Sequence, residues 1–276
     1  MSWHGHLQLH YQHHAGRTTA LDKHHGPLRV LQRLYPEGDA ICHHVLVHPP
    51  GGLVSGDVLE VDAHLAPGSH ALITTPGATR FYRSKGSEAR QTVRLQLSEG
   101  TRLEWLPLET IAYRGCDAHN QLRFELAPGA DMMGWDLLAL GLPAAGEAWD
   151  AGCYRQHLEL PGVWLERARI AATDTTLLHS PLGWAGHRVL ATLWLAAGAP
   201  LAPTRREALL DATRTLLGER NVDVMAGATA PNDQVVVLRA LAARVEPAMA
   251  LLQRVWALWR SEAWQLPACP PRVWRT

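Results

Sequence analysis

H-P-P-G-G-L-V-S-G-D-V-L-E-V-D-A-H-L-A-P-G-S-H-A-L-I-T-T-P-G-A-T-R-F-Y-R-S, residues His48 to Ser84, sets two apolar strands between three turns at Pro49–Gly52, Pro67–Gly68 and Pro76–Gly77. In the first strand Leu59, Val61, Ala63 and Leu65 alternate with Glu60, Asp62 and His64. That period of two marks a half-buried strand with one face in the core and one in water. The turn Ala66-Pro67-Gly68-Ser69 puts proline second and glycine third, the chemistry of a type II turn. The chain is expected to reverse there and to pair back through Ala71–Thr75.

Working outward, the same turn recurs. Leu65-Ala66-Pro67-Gly68, Leu97-Ser98-Glu99-Gly100 and Leu126-Ala127-Pro128-Gly129 each close an alternating strand and precede another apolar segment. Such recurrence predicts a repeated β unit whose copies stack to share a core, as in solenoids or layered sheets. Upstream, Trp3–His14 reads as a first strand, and residues 28–35 and 41–47 as two more around the turn Pro36-Glu37-Gly38-Asp39. Helical patterns come late. Thr204 with Glu207 reads as a capping box for a helix bearing Leu209, Leu210, Ala212, Leu216 and Leu217 and stopping at Gly218. After a strand at Val235–Leu241, a second helix is expected from Glu246-Pro247, with proline at its first position and Met249, Leu252, Val255, Trp256 and Trp259 on one face. Pro267–Thr276 reads as an extended tail.

The chain of 276 residues is long enough for one large β-rich domain, 1–276. Its 26 basic and 26 acidic residues balance, which argues against nucleic acid or an anionic membrane as partner. With neither a leader-like start nor an apolar run of about 20 residues, a cytoplasmic location is expected. Cys42, Cys116, Cys153 and Cys269 lack C-x-x-C spacing and are expected as buried free thiols. Twelve of the 16 histidines lie between His4 and His70, a bias that hints at metal. Phosphate-loop, nucleophile-elbow, H-E-x-x-H and EF-hand motifs are absent. The polar groups set among apolar ones are instead carboxylates: Asp57, Glu104, Glu109, Asp136, Glu147 and Glu166. A buried carboxylate is costly unless paired, so these are ion-paired framework groups or a polar path through a β core.

P-P-G-G-x-x-x-G-D at Pro49–Asp57, T-T-P-G-A-T-R-F-Y-R-S at Thr74–Ser84, L-E-W-L-P-x-E-T-I at Leu103–Ile111, G-W-D-x-L-x-L-G at Gly134–Gly141 and P-R-V-W-R-T at Pro271–Thr276 together resemble the urease accessory protein UreD family, called UreH in some organisms. The resemblance implies a mainly β fold of layered sheets with helical, solenoid-like strand topology plus two α-helices in the C-terminal half. It implies a maturation factor, not an enzyme, that binds apo-urease and the accessory proteins UreF and UreG, the last a GTPase, and leaves open a dimer within the complex. It implies no tightly bound cofactor, but nickel in transit through an internal tunnel. On that reading Asp57, Glu104, Glu109, Asp136 and Glu166 are the candidate nickel path, with His48, His64 and Cys42 behind them. Trp256, Trp259, Trp264 and Trp274, with the tail, are candidate anchors for the UreF-like partner. The competing expectation is a histidine-rich nickel or zinc storage protein, which would hold several ions tightly through the histidines up to His70.

Overall fold

The computed structural model describes residues 2–142, 145–218 and 223–275. Seventeen strands are described, and they form two sheets stacked face to face. Sheet A begins with β1 (His4–His14) and β2 (Arg17–His25), and continues through β5 (Val58–Leu65), β8 (Ala89–Leu97), β11 (Asp117–Leu126), β13 (Cys153–Leu160) and β14 (Trp164–Ala171). Its order is β14-β13-β11-β8-β5-β1-β2. Sheet B contains β3 (Arg29–Leu34), β4 (Ile41–Val47), β6 (His70–Thr74), β9 (Arg102–Leu106), β12 (Asp131–Leu140), β15 (Val189–Ala197), β16 (Val224–Thr229) and β17 (Val235–Ala242). They run in the order β16-β17-β15-β12-β9-β6-β4-β3, with the short strands β7 (Thr79–Phe81) and β10 (Thr110–Ala112) attached beside β12. Strands β5, β8, β11 and β13 are parallel, as are β4, β6, β9 and β12. The chain therefore coils, laying one strand in each sheet per turn.

The recurring turns are the corners of that coil. Each closes with a hydrogen bond from its fourth amide to its first carbonyl: Ser69 to Ala66 at 3.2 Å, Thr101 to Ser98 at 3.3 Å and Ala130 to Ala127 at 3.0 Å. Gly68 has φ +76°, which a residue with a Cβ adopts only at a cost. The corners also stack, Ser98 N donating to Leu65 O and Ala127 N to Leu97 O. This corrects the expected hairpin. The corner sends β5 and β6 into different sheets, and β6 pairs in parallel with β4 and β9. A glycine turn fixes a change of direction but not which neighbour the next strand finds.

Two cores result. Leu59, Val61, Ala63 and Leu65 face the inter-sheet core together with Leu7, Leu9, Val93, Leu95 and Phe124. The other face of sheet B is covered by α2 (Pro203–Gly218) and α3 (Val245–Trp264). Strand β12 is consequently buried on both faces and reads as almost continuously apolar. Gly134 within it is required, since a Cβ there would lie 2.4 Å from Cζ2 of Trp194.

The late helices form as the periodicity predicts, with Met249, Leu252, Val255, Trp256 and Trp259 all buried on α3. Their starts differ. Pro203, not Pro247, opens a helix; Thr204 lies inside the first turn of α2, and Pro247 is the third residue of α3. Proline is tolerated throughout a first turn because those amides have no intrahelical acceptor, so it marks a start only to within a turn. A short helix α1 (Thr175–His179), capped by Asp174, carries no long periodic signal. The tail is not simply extended: Arg272–Arg275 form a 3₁₀ turn, and Thr276 lies outside the described residues. No described helix is long and apolar enough to cross a membrane.

Candidate functional site

Among the candidate carboxylates, Asp136 and Glu166 share the inter-sheet layer. Even-numbered residues of β12 face sheet A, as Met132, Leu138 and Leu140 show by packing into the inter-sheet core. Asp136 therefore points inward, where it accepts hydrogen bonds from Asn120 Nδ2 (3.2 Å) on β11 and from Gln156 Nε2 on β13. Asn120 Oδ1 in turn accepts from Gln91 Nε2 on β8 at 3.1 Å. Gln91, Asn120 and Gln156 are direct neighbours across sheet A, while Asp136, Thr192 and Arg239 are direct neighbours across sheet B. Arg239 pairs across the gap with Glu166 on β14. A polar layer thus runs across the strands inside an otherwise apolar sandwich.

One end of the layer opens into a cavity of about 180 Å³ at Gln91, lined also by His48, Thr79, Arg80, Val93 and Trp105. The motifs around Pro49–Gly52 and Thr75–Arg80 build its mouth, Leu53 N donating to Arg80 O at 2.7 Å. His48 Nε2 is buried without a hydrogen-bond partner, and burial holds this imidazole below its ordinary pKa against the opposing pull of Asp57. Tyr154 OH is buried close to Asp136, whose charge adds to burial in raising the phenol pKa against the opposing pull of nearby Asn120 and Thr110.

Burial raises Asp136 from 3.8 to about 6, the Gln156 hydrogen bond opposing it. The native state then holds this proton more tightly than the unfolded chain, so stability falls as pH rises through the window from 3.8 to about 6. At about 1.4 kcal/mol per pH unit, the charged form costs on the order of 3 kcal/mol at pH 8. Asp136→Asn is expected to remove that pH dependence, leaving the protein at least as stable as wild type at pH 8 and no more stable at pH 4. Urea unfolding at the two pH values checks this; equal pH slopes for the two proteins would show that the carboxylate is not desolvated.

The other candidates lie elsewhere. Asp57 is buried, but it caps a turn, accepting from Trp3 N (2.7 Å) and Val54 N (2.8 Å). Glu109 is half-buried between β9 and β10, and among the described residues its side chain makes no hydrogen bond or ion pair. Glu104 sits on the opposite face of sheet B from Asp136, beneath α3, and is fully buried. It accepts from Trp256 Nε1 (2.7 Å) and pairs with His70 Nε2 (3.0 Å) and Arg260 Nε (3.1 Å). Arg260, also fully buried, bridges onward to Glu37 (2.7 Å), which pairs with His43 (2.7 Å). Burial alone would raise Glu37; hydrogen bonds from His43 and Arg260 outweigh it and hold the carboxyl below its ordinary value. Glu104 therefore belongs to a paired network clamping α3 to sheet B.

The structure places Trp256 and Trp259, expected as partner anchors, in the core with no exposed surface. Trp259 Nε1 donates to Thr213 Oγ1 of α2 at 2.7 Å, and Trp264 is buried against His70. Trp274 folds back onto Trp135 and Trp256, its Nε1 donating to Thr74 Oγ1 at 2.8 Å. The tail is a strap over the helix core, so Trp274→Ala is expected to cost about 1–3 kcal/mol, less than a fully buried Trp→Ala change. An unchanged melting temperature would show that the strap contributes nothing.

The histidine-rich strand lies along the outer face of sheet A. His4 pairs with Glu60 (2.8 Å) and His6 with Asp62 (2.6 Å), while Arg94 reaches both carboxylates; His64 faces His10 with ring centres 6.2 Å apart. Among the described residues, no three His, Cys, Asp or Glu side chains converge as a metal site. Cys42 and Cys116 are buried free thiols, but Cys153 and Cys269 are only half-buried. Sequence reasoning missed Asn120, Gln156, Arg239 and Arg260. The readable signal was a polar residue at an inward position of an apolar stripe: Asn120 and Gln156 on alternating strands, and Arg260 four residues after Trp256.

The profile of the UreD urease accessory protein family matches residues 4–275. The chain belongs to the UreD family. It is 68% identical over 278 residues to the urease accessory protein UreD of Leptothrix cholodnii, and 59% identical over 276 residues to that of Variovorax paradoxus, in both cases covering all of each chain. The counterpart in Methylibium petroleiphilum is 54% identical over 297 residues. The UreD motifs at Pro49–Asp57, Thr74–Ser84 and Gly134–Gly141 are those that form the cavity mouth and carry Asp136. A role in urease maturation follows from the family.

Proposed function

We propose that this UreD protein is a non-catalytic nickel chaperone scaffold that binds apo-urease together with UreF-like and UreG-like partners and passes Ni²⁺ along the inter-sheet polar layer toward the urease active site. The observation that carries this reading is Asp136, a carboxylate kept inside an apolar sandwich with amide donors and, among the described residues, no cation hydrogen-bonded to it. A framework role would favour a paired charge, as Glu104 has; a transit role favours oxygen ligands that hold Ni²⁺ briefly. Spaced carboxylate and amide oxygens at Gln91, Asn120, Asp136, Gln156 and Glu166 are weaker ligands than clustered imidazoles. Nickel is the cargo, and a tight site would trap it.

The storage reading needs convergent ligands, whereas His4 and His6 are each turned to a carboxylate. Copurification tests the scaffold role: the tagged chain is expected to bring down urease subunits and the GTPase, and to bind neither nickel nor zinc in multiple tight equivalents. The purified chain is expected to hydrolyse neither urea nor GTP. Several retained metal equivalents, lost on mutating the histidines before His70, would favour storage; turnover by the isolated chain would overturn the non-catalytic assignment.

A further inference from the structure

Both long helices pack on sheet B, and no described helix covers the outer face of sheet A. At the β14 end that face becomes basic. Arg90, His119, Arg155 and Arg169 are direct cross-strand neighbours, three arginines and one imidazole in one row across β8, β11, β13 and β14. Like charges placed opposite one another destabilise a sheet unless something neutralises them. Glu88 does so for Arg90 (2.8 Å) and Arg155 (3.0 Å), and Asp117 for Arg155 (2.6 Å). Neutralisation stops there. Arg167 and Arg169 are exposed, and among the described residues neither makes an ion pair.

Two further observations concern the same place. A depression of about 400 Å³ lies over His119, Arg155, His157, Arg167 and Arg169. Strand β14 is also the end strand of sheet A, and among the described residues no segment hydrogen-bonds along its outer edge between Leu165 and Ile170. Leu165 on the same outward face is 53% exposed. An edge strand with open backbone groups is a template for an added strand, and its alternate side chains decide which strand fits.

We propose that the β14 edge docks an extended acidic segment of a partner protein, which adds to sheet A as a strand and sets carboxylates opposite Arg167 and Arg169. Each outward residue of the added strand would lie about 5 Å from its β14 neighbour, within reach of a guanidinium–carboxylate pair. Nucleic acid suits the surface less well, because Glu88, Asp117 and Glu159 are interleaved with the arginines and would repel phosphates. The proposal concerns a different face from the inter-sheet layer and stands independently of the nickel reading.

The test uses the full chain and an eight-residue peptide, matched to the length of β14, alternating glutamate with valine, beside its glutamine counterpart. The glutamate peptide is expected to bind, to weaken about tenfold from low to high salt, and to slow amide hydrogen exchange along Leu165–Ile170. Charge reversal by R167E and R169E together is expected to abolish binding without changing the melting temperature, with R167A and R169A intermediate. Equal binding of the glutamine peptide, retained binding by the reversed variant, or tighter binding of a short DNA duplex through the same arginines would overturn the proposal.

Discussion

Arg260→Met is expected to lower the unfolding free energy by about 3–5 kcal/mol, because it removes a fully buried guanidinium set between buried Glu104 and half-buried Glu37. Glu37 and Glu104 would then both lose their shared cation on α3, keeping as partners, among the described residues, only His43, His70 and the Trp256 indole. For a chain of this size the melting temperature should fall by roughly 10 °C. Arg260→Lys should recover little of the loss, since one ammonium cannot match a fork that reaches Glu37, Glu104 and the Pro267 carbonyl together. The pH dependence has a definite sign. Glu37 is held below its ordinary value, so its contribution is present above the unfolded-state pKa near 4.5 and disappears as pH falls through the lower native value. The wild-type advantage over Arg260→Met should therefore shrink in acid. A loss below about 1 kcal/mol at neutral pH would show that the network is no stronger than a surface pair.

This network also marks where sequence stops being informative. The alternation Leu59–Leu65 and the recurrent corners at Gly68, Gly100 and Gly129 made the layered coil readable, because a strand period and a required positive φ are local properties. The partner of each strand was not readable: β6 follows β5 but pairs with β4 and β9, a choice made by burial across the whole sandwich. Strand β2 was overlooked because His24 and His25 break its pattern, and β16 because both its faces are partly exposed. Among the site residues, the buried state of Asp57, Glu104 and Asp136 followed from their apolar flanks. Their separation did not. Whether an odd or an even position faces sheet A depends on the register of each strand, and that register put Asp136 between the sheets and Glu104 under α3. The tryptophans misled for a related reason: large apolar area is equally suited to a core and to an interface, and the network around Arg260 drew Trp256 inward.

The second large effect concerns nickel. Asp136→Asn keeps the size of the side chain and one acceptor for the Asn120 and Gln156 amides, and the Gln156 amide can rotate to meet the new NH₂. Glu166→Gln removes the charge facing Arg239, a pair with both members partly exposed and hence of small stability value. The two changes together withdraw both carboxylates from the inter-sheet layer while leaving Glu37, Glu104 and Asp57 in their frameworks. The fold and the copurifying partners should persist and the melting temperature should not fall, whereas Ni²⁺ would lose its only anionic ligands among the described residues of that layer. A neutral amide oxygen binds a divalent cation far more weakly than a carboxylate, so a several-fold reduction in delivered metal is expected. The decisive measurement is the nickel content per urease active site, by elemental analysis of urease matured in cells that carry the Asp136→Asn, Glu166→Gln variant as their sole UreD. The account predicts urease recovered in normal amount and with its accessory partners bound, but with most of its nickel missing. Full nickel occupancy in that urease would contradict the inter-sheet path.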